Sequence, residues 1–341
     1  MANDATTWAM THPSHMEPGI VLQLNQKSDF IYALGDAKLR VQLASEDKNV
    51  YLRQLAVRTK VSSGQAGSNQ IPSCSITTGL ASAPTYLQQV RAEYDHHQTA
   101  MMALWNTSIV EAQRLAMRQG HYISMRNKCL YGTIPSNGEG IVNATGAYTT
   151  ALPPDSLGDQ SFSSYDYGQM LIFVLGIFQL LRQRTYQFNV GGKSRFVVIG
   201  PQEVIGLWEQ TQVIQLTSYQ RPGAGSATVG MALRKVLEEN DCELMLGYDD
   251  SLIGQGPGGT DIVIFALPEI EVPKGPDPNT NAFGSLMPNF NYNITQYADV
   301  AAPIEIPTPL AGGAIDVLSE MRLTTGWVIR PECLQLVYGA H

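Results

Sequence analysis

The sequence has 341 residues, enough for two domains, and 44% of them are hydrophobic, so the chain can form a sizeable core. Only 15% are charged, against about 25% in a typical soluble domain, which indicates that other protein covers much of the surface. With 22 Lys and Arg against 30 Asp and Glu, the net charge is -8, which argues against a protein that wraps nucleic acid, because such proteins are normally basic.

The cysteine spacing and the apolar runs bear on the cellular compartment. The four cysteines are far apart and have no metal-ligand spacing, so we expect reduced thiols in a cytosolic protein: Cys74, Cys129, Cys242 and Cys333. Residues 1–20 are polar, which predicts no secretory signal. The longest apolar run, Met170–Leu181, is too short to span a bilayer, so no membrane partner is expected.

The N-terminal part predicts an arm followed by a hairpin. Residues 1–35 show no sustained hydrophobic period, which predicts an extended arm with a short helical turn at Lys27–Leu34. Residues 50–82 predict two strands joined by a Gly/Ser-rich tip at 62–70, with Ile71–Thr78 as the return strand. Because this hairpin has few large apolar residues, we expect it to project from the core. Alternation predicts a further strand at Tyr86–Tyr94.

A long amphipathic helix is the central predicted element. Thr107 or Ser108 is placed as its N-cap, with Glu111 completing a capping box if the cap is Ser108, and Gly132 ends it. About two dozen residues at ~1.5 Å each give a rod of roughly 35 Å. Its interior Gly120 costs about 1 kcal/mol against Ala. We expect His121 at the edge of the polar face, partly buried. The predicted buried stripe consists of Ala112, Leu115, Ala116, Tyr122, Ile123 and Leu130.

The remainder of the chain predicts a mixed domain of helices and strands. The strand predictions are Arg195–Ile199, Cys242–Leu246, Thr260–Leu267 and Thr324–Leu336. The helix predictions are Tyr167–Arg184, Gln202–Gln210, Ala232–Asn240 and, weakly, Gly312–Leu323. The first of these helices is apolar nearly all round, which predicts burial on every side. Residues 268–313 are rich in proline, which predicts an irregular segment.

Patterns that suggest an enzyme fail on inspection. Gly191–Ser194 reads GGKS, but it lacks the first glycine of a P-loop and precedes a strand instead of following one. The glycine-rich stretch 254–259 is followed by a strand pattern where a nucleotide loop needs a helix. Asp95, His96 and His97 end a predicted strand, where neighbouring side chains point to opposite faces. The sequence therefore predicts no catalytic, cofactor-binding or metal-binding residue, and no enzyme.

The order of these parts resembles a known family. The stretches that carry the resemblance are RAEYDHH at 91–97, the long helix, EGIVN at 139–143, RFVVIGPQEVIGLW at 195–208 and GWVIRPECLQLVYG at 326–339. They resemble the major capsid protein of tailed bacteriophages, with the Hong Kong 97-like fold. The resemblance covers nearly the whole chain and is most specific at Tyr94–Gly146 and Arg322–Gly339.

The resemblance implies an α+β fold with four parts. Residues 1–35 would be the N-terminal arm, and residues 36–82 the extended E-loop region, which reaches over an adjacent subunit. Residues 83–159 and 301–341 would form the peripheral domain with the long helix as its spine. Residues 160–300 would form the axial domain.

The resemblance also implies a function. The chain would be a structural subunit of an icosahedral viral shell, self-assembling into pentamers and hexamers that enclose double-stranded DNA. It would lie in the virion capsid after assembly in the host bacterial cytoplasm, with the DNA contacted non-specifically. Scaffolding, portal and decoration proteins are further candidate partners.

Charged residues near the hairpin are the predicted contact residues between subunits. Arg53, Arg58 and Lys60 would form ion pairs, with Glu46 and Asp47 as partners. Three other functions stay open. They are an encapsulin-like nanocompartment shell of cellular origin, another virion part such as a tail or portal component, and a soluble α/β enzyme.

Overall fold

Two large β-sheets and the helices that pack on them make up most of the part of the chain that the computed structural model describes. That part comprises residues 28–35, 42–43, 46–58, 75–103, 108–155, 157–165, 167–185, 194–210, 228–269, 292–299 and 303–340. In chain order the strands are β1 (Gln42–Leu43), β2 (Asn49–Arg58), β3 (Ser75–Tyr94), β4 (Tyr148–Ala151), β5 (Ser194–Gly200), β6 (Cys242–Tyr248), β7 (Asp261–Ala266), β8 (Ile294–Thr295), β9 (Ala298–Asp299), β10 (Ile304–Pro309), β11 (Ile315–Thr324), β12 (Trp327–Val328) and β13 (Leu334–Gly339). The α-helices are α1 (His96–Ala103), α2 (Ile109–Leu130), α3 (Tyr167–Arg184), α4 (Gln202–Gln210) and α5 (Val229–Glu238).

The first sheet has the strand order β1-β9-β11-β3-β2, with β10 also paired to β11. Strand β3 is 20 residues long and has two partners in succession. Its first half pairs with β2, from Arg58 opposite Ser75 to Asn49 opposite Pro84, and its second half pairs with β11. Residues 75–78 and 86–94 are strand, as predicted, whereas 71–74 lie outside the described residues. The prediction of two separate strands was wrong, because one continuous strand serves both partners.

The strands β10 and β11 correct two further predictions. Residues 268–313 were expected to be irregular, yet β10 pairs antiparallel with β11 although it contains Pro307 and Pro309. These prolines are two residues apart, so their missing N–H donors lie on the same edge of the strand. An edge strand tolerates missing donors on the edge that faces solvent. The weak helix prediction at Gly312–Leu323 was also wrong. Alternate residues of β11 are buried, which is the period of a strand.

The long helix α2 confirms its predicted ends but not its predicted buried face. Ser108 is the N-cap and its side chain accepts a hydrogen bond from the backbone N–H of Glu111. Of the predicted stripe, Leu115 and Ile123 are exposed, whereas Met117 and His121 face the sheet. His121, expected to be partly buried, is fully buried. The sheet presents Gln88 and Ser319, so polar helix residues turn inward to give these groups hydrogen-bond partners.

The second sheet has the order β4-β13-β7-β5-β6 and is the larger hydrophobic core. All six residues of β7 are buried at its centre. The predicted bounds of α3 are confirmed, but its burial on every side is not, because Ile172 is 72% exposed. Helices cover this side of the sheet as a single layer, so α3 packs one face on Phe196 and Phe265 and leaves the other open.

The two sheets are interleaved along the chain. Strands β4 and β13 come from the segments expected in the peripheral domain, 83–159 and 301–341, but they extend the sheet formed by β5, β6 and β7. Residues 28–35 join the sheets, since Phe30 and Leu34 are buried in a core shared with both α2 and the second sheet. The helical turn predicted at Lys27–Leu34 is a 3-10 turn at Phe30–Ala33.

Candidate functional site

β2 and residues 75–84 of β3 form a two-stranded ribbon that is largely exposed. Within the described residues β2 pairs with β3 alone, so its other edge has no strand partner there. Large apolar side chains lie on it in the open: Leu80 is 66% exposed and Tyr51 is 58% exposed. A two-stranded ribbon cannot bury its own side chains, so these residues have the character of a contact surface.

The base of the ribbon is fixed to the first sheet by polar contacts. The Thr85 N–H donates to the carbonyl of Lys48 at 3.0 Å, and the Thr85 hydroxyl donates to the carbonyl of Asp47 at 2.5 Å. The guanidinium of Arg322 on β11 donates to both the Asp47 carbonyl, at 3.0 Å, and the Thr85 hydroxyl, at 3.2 Å. The ribbon therefore leaves the sheet in a defined direction.

Four of the five predicted contact residues lie on this ribbon or at its base. Glu46 and Asp47 are exposed at its base, and Arg53 is exposed on β2 opposite Leu80. Arg58 is the last residue of β2, and Lys60 lies outside the described residues, as does the Arg58 side chain. Arg53 is six residues beyond Asp47, or about 20 Å along an extended strand, so these two side chains cannot pair within one chain.

A second candidate surface is the face of the first sheet that points away from α2. Here Arg91 bonds Asp316 at 2.8 Å and Gln89 donates to Glu320 at 2.5 Å. Exposed apolar side chains adjoin these pairs, namely Leu87, Ile304 and Ile306. Sequence reasoning missed this face because β10 and β11 were not predicted. The alternation of isoleucines in β10 was the available signal.

The end of α2 is joined to β3 by a polar contact. The Tyr86 hydroxyl donates to the Glu139 carboxylate at 2.7 Å, and Lys128 lies over the Tyr86 ring. Burial, reinforced by the hydrogen bond to Glu139, raises the pKa of Tyr86 to about 12. The same carboxylate accepts from the backbone N–H groups of Thr133 and Ile134. This joint holds the helix and the sheet at one end.

The described residues contain no group of three metal-ligating side chains and no helix long and apolar enough to cross a membrane. His96 and His97 begin α1 instead of ending a strand, and their exposed rings contact each other. The loop 254–259 leads into the strand β7, as predicted. Cys129, Cys242 and Cys333 are buried thiols, and burial raises the pKa of Cys333 to about 12, so it is a poor nucleophile. Cys74 and residues 191–193 lie outside the described part of the chain.

Comparison with known proteins gives the fold. No family model and no curated protein matches the sequence. Solved structures match over nearly the whole length. The capsid of the Myoviridae phage XM1 matches with a TM-score of 0.65, 11% identity and 96% of each chain covered. A chain of Mycobacterium phage Che8 matches with a TM-score of 0.57 and 10% identity, over 96% of this chain and 97% of that one.

A third match is the mature capsid of bacteriophage PhiM1, with a TM-score of 0.51 and 10% identity over 96% of this chain and 91% of that one. These likenesses define the class: the chain is a mixed helix-and-sheet protein with the fold of phage capsid proteins. This is the Hong Kong 97-like fold that the order of its elements resembles.

Proposed function

We propose that this chain is a structural subunit of an icosahedral viral shell, which assembles as pentamers and hexamers around double-stranded DNA. The observation that carries the proposal is the likeness to the capsid of phage XM1 over 96% of both chains, because the match extends across the fold and is not confined to one segment. The role is thus structural and not enzymatic. The subunit belongs in the virion capsid, after assembly in the cytoplasm of the host bacterium.

The exposed surfaces support assembly through copies of the same chain. A closed shell repeats one set of contacts under symmetry, and obligate contacts of this kind bury thousands of Å². The ribbon and the outer face of the first sheet supply exposed apolar and charged side chains that one chain does not bury. In this assignment residues 36–82 reach over a neighbour, and Arg53, Arg58 and Lys60 meet acidic residues such as Glu46 and Asp47 of another copy.

The remaining assignments follow from the same proposal. Residues 1–35 serve as the arm, 83–159 and 301–341 as the peripheral domain, and 160–300 as the axial domain. The net charge of -8 suits a wall that contacts packaged DNA only non-specifically, because each cation on a phosphate would add affinity. Scaffolding, portal and decoration proteins are the further partners that such a shell takes.

Electron microscopy of the purified full-length protein tests this function. We expect uniform closed particles with pentameric and hexameric clusters, and a light-scattering mass far above the 37.2 kDa of one chain. DNA in particles from infected cells would support the viral role, whereas particles filled with protein would indicate a nanocompartment. A monomer or dimer at every protein and salt concentration would overturn the proposal.

A further inference from the structure

His121 lies at the middle of α2 and is buried against the first sheet, with only 3% of its surface exposed. Its Nε2 is 3.0 Å from the hydroxyl oxygen of Ser319 on β11. Its other ring nitrogen, Nδ1, is also buried and has no hydrogen-bond partner. A neutral imidazole carries one proton and can satisfy one nitrogen through Ser319, whereas a protonated ring would need two acceptors.

The strands beneath His121 offer no acid to pair with a protonated ring. Alternation places the following side chains of the two strands toward α2: Tyr86, Gln88, Val90, Ala92, Val317, Ser319, Met321 and Leu323. Among these described residues Tyr86 alone titrates, and with a pKa of about 12 it stays neutral at physiological pH. Gln88 donates to Ser124 on the helix, and its side-chain oxygen is itself buried without a partner.

The charged groups nearest along α2 are mostly cations or already paired. Arg118, one turn before His121, is exposed. Arg126 is five residues away, and its guanidinium donates to the Asn127 side chain. Arg114 and Lys128 are each seven residues away, or about 10 Å along the helix. Arg114 bonds Glu305 on β10 at 2.8 Å, and Glu139 near Lys128 accepts from Tyr86. Among the described residues, a positive charge on His121 would therefore be desolvated with no carboxylate beside it, which is costly in a protein interior.

We propose that His121 is a pH-sensitive latch between α2 and the first sheet, which holds the helix when the ring is neutral and loosens it when the ring is protonated. Burial lowers the pKa of His121 below its usual value. Because the pKa is lower in the folded state, the contact is fully stable above the ordinary histidine pKa of about 6.5 and weakens as the pH falls through the folded value. The latch acts within one subunit and is independent of shell assembly.

Hydrogen exchange of the intact chain, followed by mass spectrometry, tests the latch. We expect peptides from residues 113–128 to lose protection between pH 7.5 and 5.0 after correction for the chemical exchange rate, since a group with a lowered pKa stabilises the folded state less as the pH falls. Peptides from β7 serve as the internal reference and keep their protection. Equal protection of the helix at the two pH values in the wild-type protein would overturn the proposal without any variant.

Three variants test whether the pH dependence of protection in α2 comes from the His121 ring. His121→Gln keeps a hydrogen-bonding side chain but cannot take up a proton at these pH values, so the pH effect is expected to disappear. Ser319→Ala removes the hydrogen bond and leaves the ring, so protection falls at both pH values and the pH effect stays. His96→Gln, at an exposed position, leaves the wild-type behaviour unchanged. A pH effect that persists in His121→Gln would also overturn the latch.

Discussion

Tyr86 donates a hydrogen bond to Glu139 across 2.7 Å, and this single contact joins β3 to the loop that follows α2. The carboxylate that accepts it also orders the loop, because it receives the N–H groups of Thr133 and Ile134. Gly132, with φ at +75°, makes the turn possible, since a Cβ there would lie 2.6 Å from Glu139. The end of the long helix is thus fixed by one acidic side chain and one left-handed glycine.

Removing the Tyr86 hydroxyl should weaken this joint. We expect Tyr86→Phe to lower the free energy of unfolding by about 1–2 kcal/mol at pH 7.5, because one hydrogen bond to a charged acceptor is lost and the others remain. The pKa of Tyr86 is raised to about 12, so the wild-type contact is present below pH 10 and is lost as the pH rises toward that value. The difference between variant and wild type should therefore narrow above pH 10. Urea titrations of the variant and the wild type at pH 7.5 and above pH 10 measure this difference in the free energy of unfolding. A constant difference would contradict it.

Gly120 and Gly132 should respond oppositely to the same substitution. Gly120 lies inside α2, and among the described residues a Cβ there would meet Val90 alone, at an ordinary 3.9 Å. We expect Gly120→Ala to stabilise the protein by about 1 kcal/mol, because alanine is the better helix former. Gly132→Ala should destabilise it by about 1–3 kcal/mol, because its backbone is left-handed and the space is filled. Urea midpoints of the two variants against wild type give the comparison, and a loss of stability in Gly120→Ala would contradict it.

The sequence predicted elements well where the pattern was local. The ends of α2 followed from Ser108 and Gly132, and the bounds of α3 followed from an unbroken apolar run. The buried face of α2 could not be predicted, because it depends on Gln88 and Ser319, which are 36 and 198 residues from their helix partners. Hydrophobic periodicity assigns apolar residues to the buried face of a helix. It cannot predict that a polar residue is buried to make a hydrogen bond.

Strand partners are also set by contacts that are distant in sequence. Nothing local to β3 shows that β2 takes one half and β11 the other. Pro307 and Pro309 suggested irregular chain, but an edge strand needs donors on one side only. The position of the predicted contact residues at an exposed ribbon did follow from sequence, because a hairpin poor in large apolar residues has no core to join. The outer face of the first sheet required the pairing of β10 with β11.

Leu180 and Leu181 should separate the buried and exposed faces of α3. They are neighbours with the same side chain, but Leu181 is fully buried and Leu180 is 38% exposed. We expect Leu181→Ala to cost about 2–5 kcal/mol through lost burial and a cavity, and Leu180→Ala to cost less than about 1 kcal/mol. Differential scanning calorimetry of the two variants provides the test. Equal losses would show that the open face of α3 contributes to the core.

Charge reversal on the ribbon should separate assembly from folding. Arg53 is exposed on the ribbon, so Arg53→Glu should change the free energy of unfolding by no more than about 0.5 kcal/mol. If the ribbon meets acidic residues of a neighbour, the same change sets like charges together across a repeated contact, which costs several kcal/mol.

We therefore expect Arg53→Glu and Arg58→Glu to give soluble, folded subunits that fail to form particles, whereas Arg53→Lys and Arg58→Lys, which keep the charge, still assemble. Size-exclusion chromatography with light scattering reports the assembly, and urea titration of each subunit reports the fold. If both glutamate variants form normal particles, these arginines do not contribute to the contact between subunits. The assignment of the fold would not be affected. Salt screens exposed charges. If a lysine variant assembles less well than the wild type, its assembly should therefore decrease further as the ionic strength rises.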